Sequence, residues 1–293
     1  MALSGVATNR TSVDLPVDVS QTILQKTQEE SAVMQLAQEI ALPGRGTAIN
    51  VITSDPEAAW VGETESKAVA NPGLETKVMS AYKLAVIVPF SMEFRRDLAS
   101  LYDALVARLP RALAAKFDAT VFNGTAPGSN FDTLASATAQ SFGSDVYAAL
   151  VAAQTDIATH GGILNGFAIS PQGQGVLLGA TDTTKRPLFI NSVAEGAVPM
   201  ILGAPTEITK GAYKAAVGTS TPAVYGFAGD WTQAMYGTVE GVRITYSEDA
   251  TLTTGSGTNI STINLFQQNM FAVRAEIEVG FRADVNCFNK LTA

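Results

Sequence analysis

Phe271-Ala-Val-Arg-Ala-Glu-Ile-Glu-Val-Gly-Phe-Arg-Ala-Asp-Val-Asn-Cys287 is the stretch whose reading decides the fold. Phe271, Val273, Ala275, Ile277, Val279, Phe281, Ala283, Val285 and Cys287 alternate with Arg274, Glu276, Glu278, Gly280, Arg282, Asp284 and Asn286. This is the period-two signature of a strand with one buried face. Kept in phase over residues 271–287, it predicts a strand of about 56 Å at about 3.3 Å per residue, far beyond the usual length, with a bend at Gly280. A face that long needs an apolar partner of similar length. Ser91–Gly124 provides one: Phe94, Leu98, Leu101, Leu105, Leu109, Leu113, Phe117 and Val121 recur at helical spacing over about 45 Å, and Asn123-Gly124 ends the run. Pro110 falls inside with the pattern in phase on both sides, so one helix kinked at Pro110 is expected. The pair reads as an elongated platform of long helix on long strand.

Outward from the platform, residues 1–44 read as a loose arm (1–19) followed by a helix from Ser20 to about Ala41, with Val33, Leu36, Ala37 and Ile40 on one face and Pro43-Gly44 as its stop. Residues 45–89 read as a hairpin: a strand Thr47–Thr53, a longer one Thr76–Val88 with Val78, Ser80, Tyr82, Leu84, Val86 and Val88 on one face, and residues 54–75 as its tip. A connection this long is usually functional or disordered; the flanking strands argue for an arm, and because an isolated hairpin is marginal in water it should lie on another surface, with a hairpin folded back on its own domain as the alternative. After a linker Thr125–Ser144, strand-helix alternation through Leu202 reads as a mixed α/β lobe, with a helix Asp145–Thr159, a strand Phe167–Ile169 and a Ser170-capped helix through Leu178. Short strands Tyr225–Ala228, Ala234–Val239 and Val242–Tyr246 follow, separated by glycines.

The chain has 293 residues, 46% apolar but only 16% charged, against about 25% charged in a typical soluble domain. Low charge favours an oligomer that hides surface against other chains. A net charge of −8 argues against duplex binding, whose affinity comes from Lys and Arg displacing counterions. No apolar run approaches the roughly 18 residues of a membrane span, and the N-terminus shows no secretory signal, so a soluble cytoplasmic protein is expected.

Candidate chemistry is sparse. Cys287 and His160 are single, which excludes an intrachain disulfide, Cys-rich zinc motifs, HExxH sites and multi-histidine metal sites. There is no Gly-Lys dipeptide for a P-loop, and Gly173-Gln-Gly175-Val-Leu-Leu-Gly179 misses the dinucleotide spacing. His160 reads as a helix C-terminal residue favoured by the dipole. Glu63 with Glu65, and Glu276 with Glu278 flanked by Arg274 and Arg282, read as solvated or interchain ion-pair partners instead of acid/base pairs. Cys287 reads as packing. No catalytic residue, metal ligand or cofactor is expected.

The ordered landmarks resemble a known family. Asp55-Pro-Glu-Ala-Ala-Trp60-Val-Gly-Glu63, then Lys83-Leu-Ala-Val-Ile-Val-Pro-Phe-Ser91, then a long helix leaving through Asp118-Ala-Thr-Val-Phe-Asn-Gly124, resembles the major capsid proteins of tailed bacteriophages. Leu202-Gly-Ala-Pro205, Gly229-Asp230-Trp231 and Arg274-Ala-Glu-Ile-Glu-Val-Gly280-Phe-Arg continue the order. The resemblance implies the α+β Hong Kong ninety-seven fold. Residues 54–75, with Trp60, Glu63, Glu65 and Lys67, would be the extended loop lying over a neighbouring subunit. Residues 90–127 would be the spine helix of the peripheral domain, 128–245 largely the axial domain, and 246–293 the peripheral long strand and C-terminus. It further implies self-assembly into the hexamers and pentamers of an icosahedral virion shell in the bacterial host cytoplasm. The shell would enclose DNA without sequence-specific binding, alongside a portal, a separate scaffolding protein and, in some relatives, a decoration protein. No membrane partner is implied. The short N-terminus departs from relatives that carry a long scaffolding extension. Some relatives also crosslink chains through a loop lysine and an asparagine; Lys67, Lys77, Asn286 and Asn289 are on suitable elements, but no motif fixes a pair.

The acidic balance fits a shell whose lining does not hold the phosphates moving past it. Two alternatives stay open at this point: an encapsulin-type bacterial compartment of the same fold, and an acidic carboxylate-dependent hydrolase.

Overall fold

The structure is a computed structural model. It describes residues 26–28, 30–44, 47–54, 73–92, 98–143, 145–182, 184–189, 200–218, 221–239, 241–254 and 261–293. In chain order the elements are α1 (Ala32–Leu36), β1 (Gln38–Ala41), β2 (Thr47–Ser54), β3 (Gly73–Met79), β4 (Tyr82–Ser91) and α2 (Leu98–Asn123). There follow β5 (Thr138–Ser141), α3 (Val146–Thr159), β6 (Gly166–Ile169), α4 (Pro171–Gly179), β7 (Met200–Ile201), β8 (Ala204–Ile208), β9 (Val224–Gly229), β10 (Ala234–Thr238) and β11 (Arg243–Ser247). The chain closes with β12 (Thr251–Thr254), β13 (Ser261–Asn264), β14 (Met270–Ala283) and β15 (Phe288–Thr292).

β14 organises the first sheet. β4 pairs antiparallel along one edge, from Met270↔Ser91 to Val279↔Tyr82. β11 (Arg243↔Glu276) and β10 (Ala234↔Ala283) follow one another along the other edge, and β1 joins β10 in parallel. Phe271, Val273, Ile277, Val279 and Phe281 are buried, while Arg274 is exposed. Leu109 and Leu113 of α2 close one apolar cluster over Phe271, Val273, Ala275 and Ile277, and Phe117 joins a second with Val279 and Phe281. α2 runs as one helix through Pro110. Phe94 lies outside the described residues, as do the side chains of Leu98, Leu101 and Leu105.

The second sheet has the order β5-β15-β9-β6-β8-β7. Its strands alternate between layers: Phe167, Ile169, Ala228 and Leu291 face a cluster closed by α3 and α4, while Ala168, Phe227 and Phe288 join the cluster that contains Phe117, Val121 and Phe122 of α2. The two sheets thus share one layer of core.

Several expectations are corrected. The long strand does not reach Cys287: it stops at Ala283, where the Asp284 carboxylate accepts from the Asn286 amide at 3.2 Å and caps a single turn, Val285–Cys287. A short polar side chain that offers the backbone another partner can end a ladder whose apolar alternation would continue. The chain then enters the second sheet as β15, so the C-terminus does not stay with the platform, while β10 and β11 belong to the platform and not to the axial domain expected over 128–245. Thr76–Val88 is not one strand. It breaks at Ser80–Ala81, and the inward face changes phase: Met79 is buried and Val78 exposed before the break, Leu84, Val86 and Val88 turn inward after it. The N-terminal helix does not reach Ala41: Ser31 caps the short α1, and Gln38–Ala41 is a strand. Ser91 ends β4, and the described part of the long helix begins at Leu98. The arm, residues 1–19, lies outside the described residues.

Gly229 sits across the ladder from Phe288, and a Cβ there would collide with the Phe288 ring. Gly229→Ala is expected to lower the unfolding free energy by about 1–3 kcal/mol through overpacking, read from the urea midpoint of the unassembled protein.

Candidate functional site

The hairpin stem pairs β2 with β3 from Thr47↔Met79 to Ser54↔Gly73, with a register slip between Ile52 and Ser54. Among the described residues it forms a two-stranded sheet of its own. What fixes it is its base. Arg282, two residues beyond Gly280 on β14, donates from Nε and Nη2 to the Val78 carbonyl at 2.9 and 2.7 Å and from Nη1 to Asp132 Oδ1 at 2.8 Å. Asp132 Oδ2 in turn accepts from the Ala283 amide at 3.3 Å. Asn130 completes the junction: its Nδ2 donates to Ser80 Oγ at 3.1 Å and its amide to the Tyr82 hydroxyl at 3.2 Å. Gly128 leaves the room that the Tyr82 ring needs. The guanidinium therefore ties three segments distant in sequence, with charge-assisted bonds in the part-buried setting where they count most.

A second junction holds the N-terminal segment. Asp118, buried on α2, accepts from Ser31 Oγ at 2.6 Å, the Ala32 amide at 3.1 Å, the Val33 amide at 3.4 Å and Thr209 Oγ1 at 2.9 Å. Burial raises its pKa, against the lowering effect of the Ser31 and Thr209 hydroxyls and the Ala32 and Val33 amides. One carboxylate thus gathers the start of α1, the spine helix and the end of β8.

The residues examined for catalysis fall elsewhere. His160 is the C-cap of α3, its Nδ1 bonded to the Asp156 carbonyl at 2.9 Å. Burial, with Asp284 and Asp230 adding to it, pushes the Cys287 thiol up to about 11, the opposite of an activated nucleophile. Glu276 pairs with Arg274 at 3.1 Å and Glu278 with Lys83 at 3.5 Å on the open face of the platform. Trp60, Glu63, Glu65 and Lys67 lie outside the described residues, so none of these is brought to a pocket here. Of the asparagines considered for crosslinking, Asn286 is exposed, whereas Asn289 is buried in the second sheet and donates to the Ala153 carbonyl at 3.4 Å. Asp118 entered the sequence reading only as the first residue of the helix-exit landmark, with no structural role given to it, and Asn130 and Asp132 not at all. The available signal was Asp118 itself, an acid on the apolar stripe near the C-terminal end of its helix, where the dipole disfavours it.

A long strand laid under a long helix, with a separate hairpin anchored at the strand's far end, can be compared with known proteins. A model of the phage capsid family matches residues 12–287. The chain belongs to the phage capsid family. It is 30% identical over 298 aligned positions to the "Probable major capsid protein gp17" of Mycobacterium phage L5, covering 95% of this chain and 89% of that one. A solved structure from Mycobacterium phage Bobi has a TM-score of 0.68 at 20% identity, covering 89% of this chain and 90% of that one. The capsid of an empty GTA particle computed with C5 symmetry has a TM-score of 0.63 at 15% identity, covering 90% and 89%. The family is one of shell-building proteins, and the fold shared with these structures is of the Hong Kong ninety-seven type.

Asp118→Ala leaves two hydroxyls and the Ala32 amide buried without their acceptor. It is expected to cost about 3 kcal/mol, measured by chemical denaturation of the unassembled protein. Because the folded carboxyl titrates above the unfolded one, its contribution is greatest at acid pH, below about 4, and is lost as pH rises through the folded value. The gap between wild type and Asp118→Ala should therefore narrow toward neutrality; a gap that widens instead contradicts the desolvated carboxyl. Arg282→Ala is expected to cost about 2–4 kcal/mol by leaving Asp132 unpaired, and to raise hydrogen exchange at Val78 and Ser80 more than at Phe167.

Proposed function

We propose that the chain is the major capsid protein of a tailed, double-stranded DNA phage, one that completes its packing only among copies of itself. The observation that carries this reading is the family match over residues 12–287 together with the stem architecture. The β2–β3 stem is a two-strand ladder that pairs with no other described strand, and a ladder of that kind is marginal until it rests on something. In this reading the tip lies over the adjacent subunit and Trp60, Glu63, Glu65 and Lys67 meet its surface. The copies form hexamers and pentamers, and the closed shell holds DNA without reading its sequence. A portal and a separate scaffolding protein complete assembly in the host cytoplasm, with a decoration protein as an optional outer partner.

The platform suits a load-bearing role. Its open face carries paired charges, Lys83 with Glu278 and Arg274 with Glu276, each worth little to stability at such exposure but well placed to keep that face from adhering to itself. The buried face and α2 supply the stiffness.

Size decides the reading. The expressed chain of 30.6 kDa should sediment as capsomers or closed shells, visible by negative-stain microscopy, with an added scaffolding protein raising the closed fraction. A persistent monomer under all assembly conditions would overturn the assignment. Trp60→Ala should leave the unassembled protein folded by circular dichroism and shift assembly to at least tenfold higher protein concentration, as expected for an aromatic anchor at an interface.

A further inference from the structure

The second sheet carries two apolar patches with no described cover, and they lie at its opposite edges. The first is a groove between α3 and the edge strand β5, lined by Gln140, Tyr147, Val151, Thr155, Asp156 and Thr159 among others. Tyr147 is 52% and Val151 37% exposed. The second is the turn that joins β7 to β8, where Met200 is 58% and Leu202 38% exposed. In the strand order β5-β15-β9-β6-β8-β7, five inter-strand steps, about 24 Å, separate β5 from β7. Neither patch carries a cation: α3 has no Lys or Arg and a single acid, Asp156, and residues 200–206 carry no charge of either sign.

The turn itself is unusual. β7 and β8 pair Ile201↔Ala204, leaving Leu202 and Gly203 as the two central residues, and both have positive φ, +49° and +79°. Two-residue turns of this hand favour Asn-Gly or Gly-Gly, because a Cβ in the left-handed region is strained. Leu202 is the costly choice for the backbone and also for solvent, since a large apolar residue is left 38% exposed. Strain kept at an exposed position calls for a compensating contact. Level is the last element: β8 runs parallel to β6, β6 antiparallel to β9, β9 antiparallel to β15, and β15 parallel to β5. β8 and β5 therefore point the same way, and the turn at the start of β8 stands level with the His160 end of α3.

Resting on the capsid reading, we propose that the Leu202–Gly203 turn of one copy seats in the α3–β5 groove of the next, at its Val151–Thr159 end. The contact is heterologous: it joins two different patches, so each copy offers one and fills one. Repeated in one sense, such a contact closes a ring. The occupant is a second copy of this chain because each patch is what the other lacks: a convex apolar tip and a concave apolar groove, both without cations, at the same level of one sheet.

The test uses the full chain with Thr155→Cys, Leu202→Cys, and both together, treated with a short bismaleimide after assembly and run on a denaturing gel. Cys287 is buried and supplies the background. Each single variant should remain a monomer band, and the double variant should give a ladder reaching pentamer and hexamer. Dimers from either single variant would mean that a patch meets its own copy and would overturn the proposal. An unlinked double variant whose micrographs still show shells would overturn it too, while leaving the capsid assignment intact; absence of any assembly in wild type would overturn both. Leu202→Asn gives a second readout. It should raise the melting temperature of the unassembled protein, because Asn tolerates the left-handed turn, yet move capsomer formation to at least tenfold higher protein concentration. Unchanged assembly would count against the contact.

Discussion

A strand as long as β14 is stable only if both edges and its apolar face are covered along its length, and much of the body follows from meeting that requirement. One edge takes a single partner, β4, over ten paired positions from Met270 to Val279. The other takes two in succession, β11 and then β10. The face is closed by α2, whose Leu109, Leu113 and Phe117 meet successive stretches of the strand. No short helix could span those positions, and a short strand would leave the helix's stripe in water. The two lengths specify each other.

The same arithmetic locates the hairpin. β4 pairing ends at Val279, and the next residue, Gly280, approaches the Ser80 carbonyl so closely that a Cβ would lie 2.8 Å from it. At that point the chain leaves the sheet through Ser80–Ala81 and changes inward phase. Arg282, two residues further along β14, then reaches across to Val78 and Asp132. The hairpin's direction is thus set by a glycine that permits contact and an arginine that orients it, both on the strand that organises the platform.

How much of this was legible follows from what kind of physics each part uses. Periodic burial is local, and the α2 and β14 patterns are written in their own side chains; so are the caps at Asp145 and Ser170, where the residue type and the helix start coincide. Breaks are not local. Nothing in Thr76–Val88 marks Ser80 as a boundary, because the bonds that make it one come from Asn130, fifty residues away in sequence. The exit of the chain at Asp284 into the second sheet depends on β5 and β9 holding an open place for β15. Asp118 was visible as the start of the helix-exit landmark, an acid beside the apolar stripe, but the segments it binds could not be named from spacing. The extended-loop residues Trp60, Glu63, Glu65 and Lys67 rest on the resemblance to the family, since their roles are played out against a neighbour and not within the chain.

The scarcity of charge ties protomer and shell together. Asp118, fully buried, is held by hydroxyls and amides, while the charge pairs on the open platform face are partly exposed and weak. Stability then comes mainly from apolar layers and from a few anchored junctions. A monomer built this way leaves groups such as Tyr147, Leu202 and Met200 in water, which is a liability in isolation and a driving force in company. Because area of this kind is non-directional, direction must come from shape and level: a convex turn, a concave groove, and a hairpin aimed from its base. Weak, shape-matched apolar contacts let a misplaced copy leave and a correct one stay, which is what a closed shell of many identical units requires of each contact.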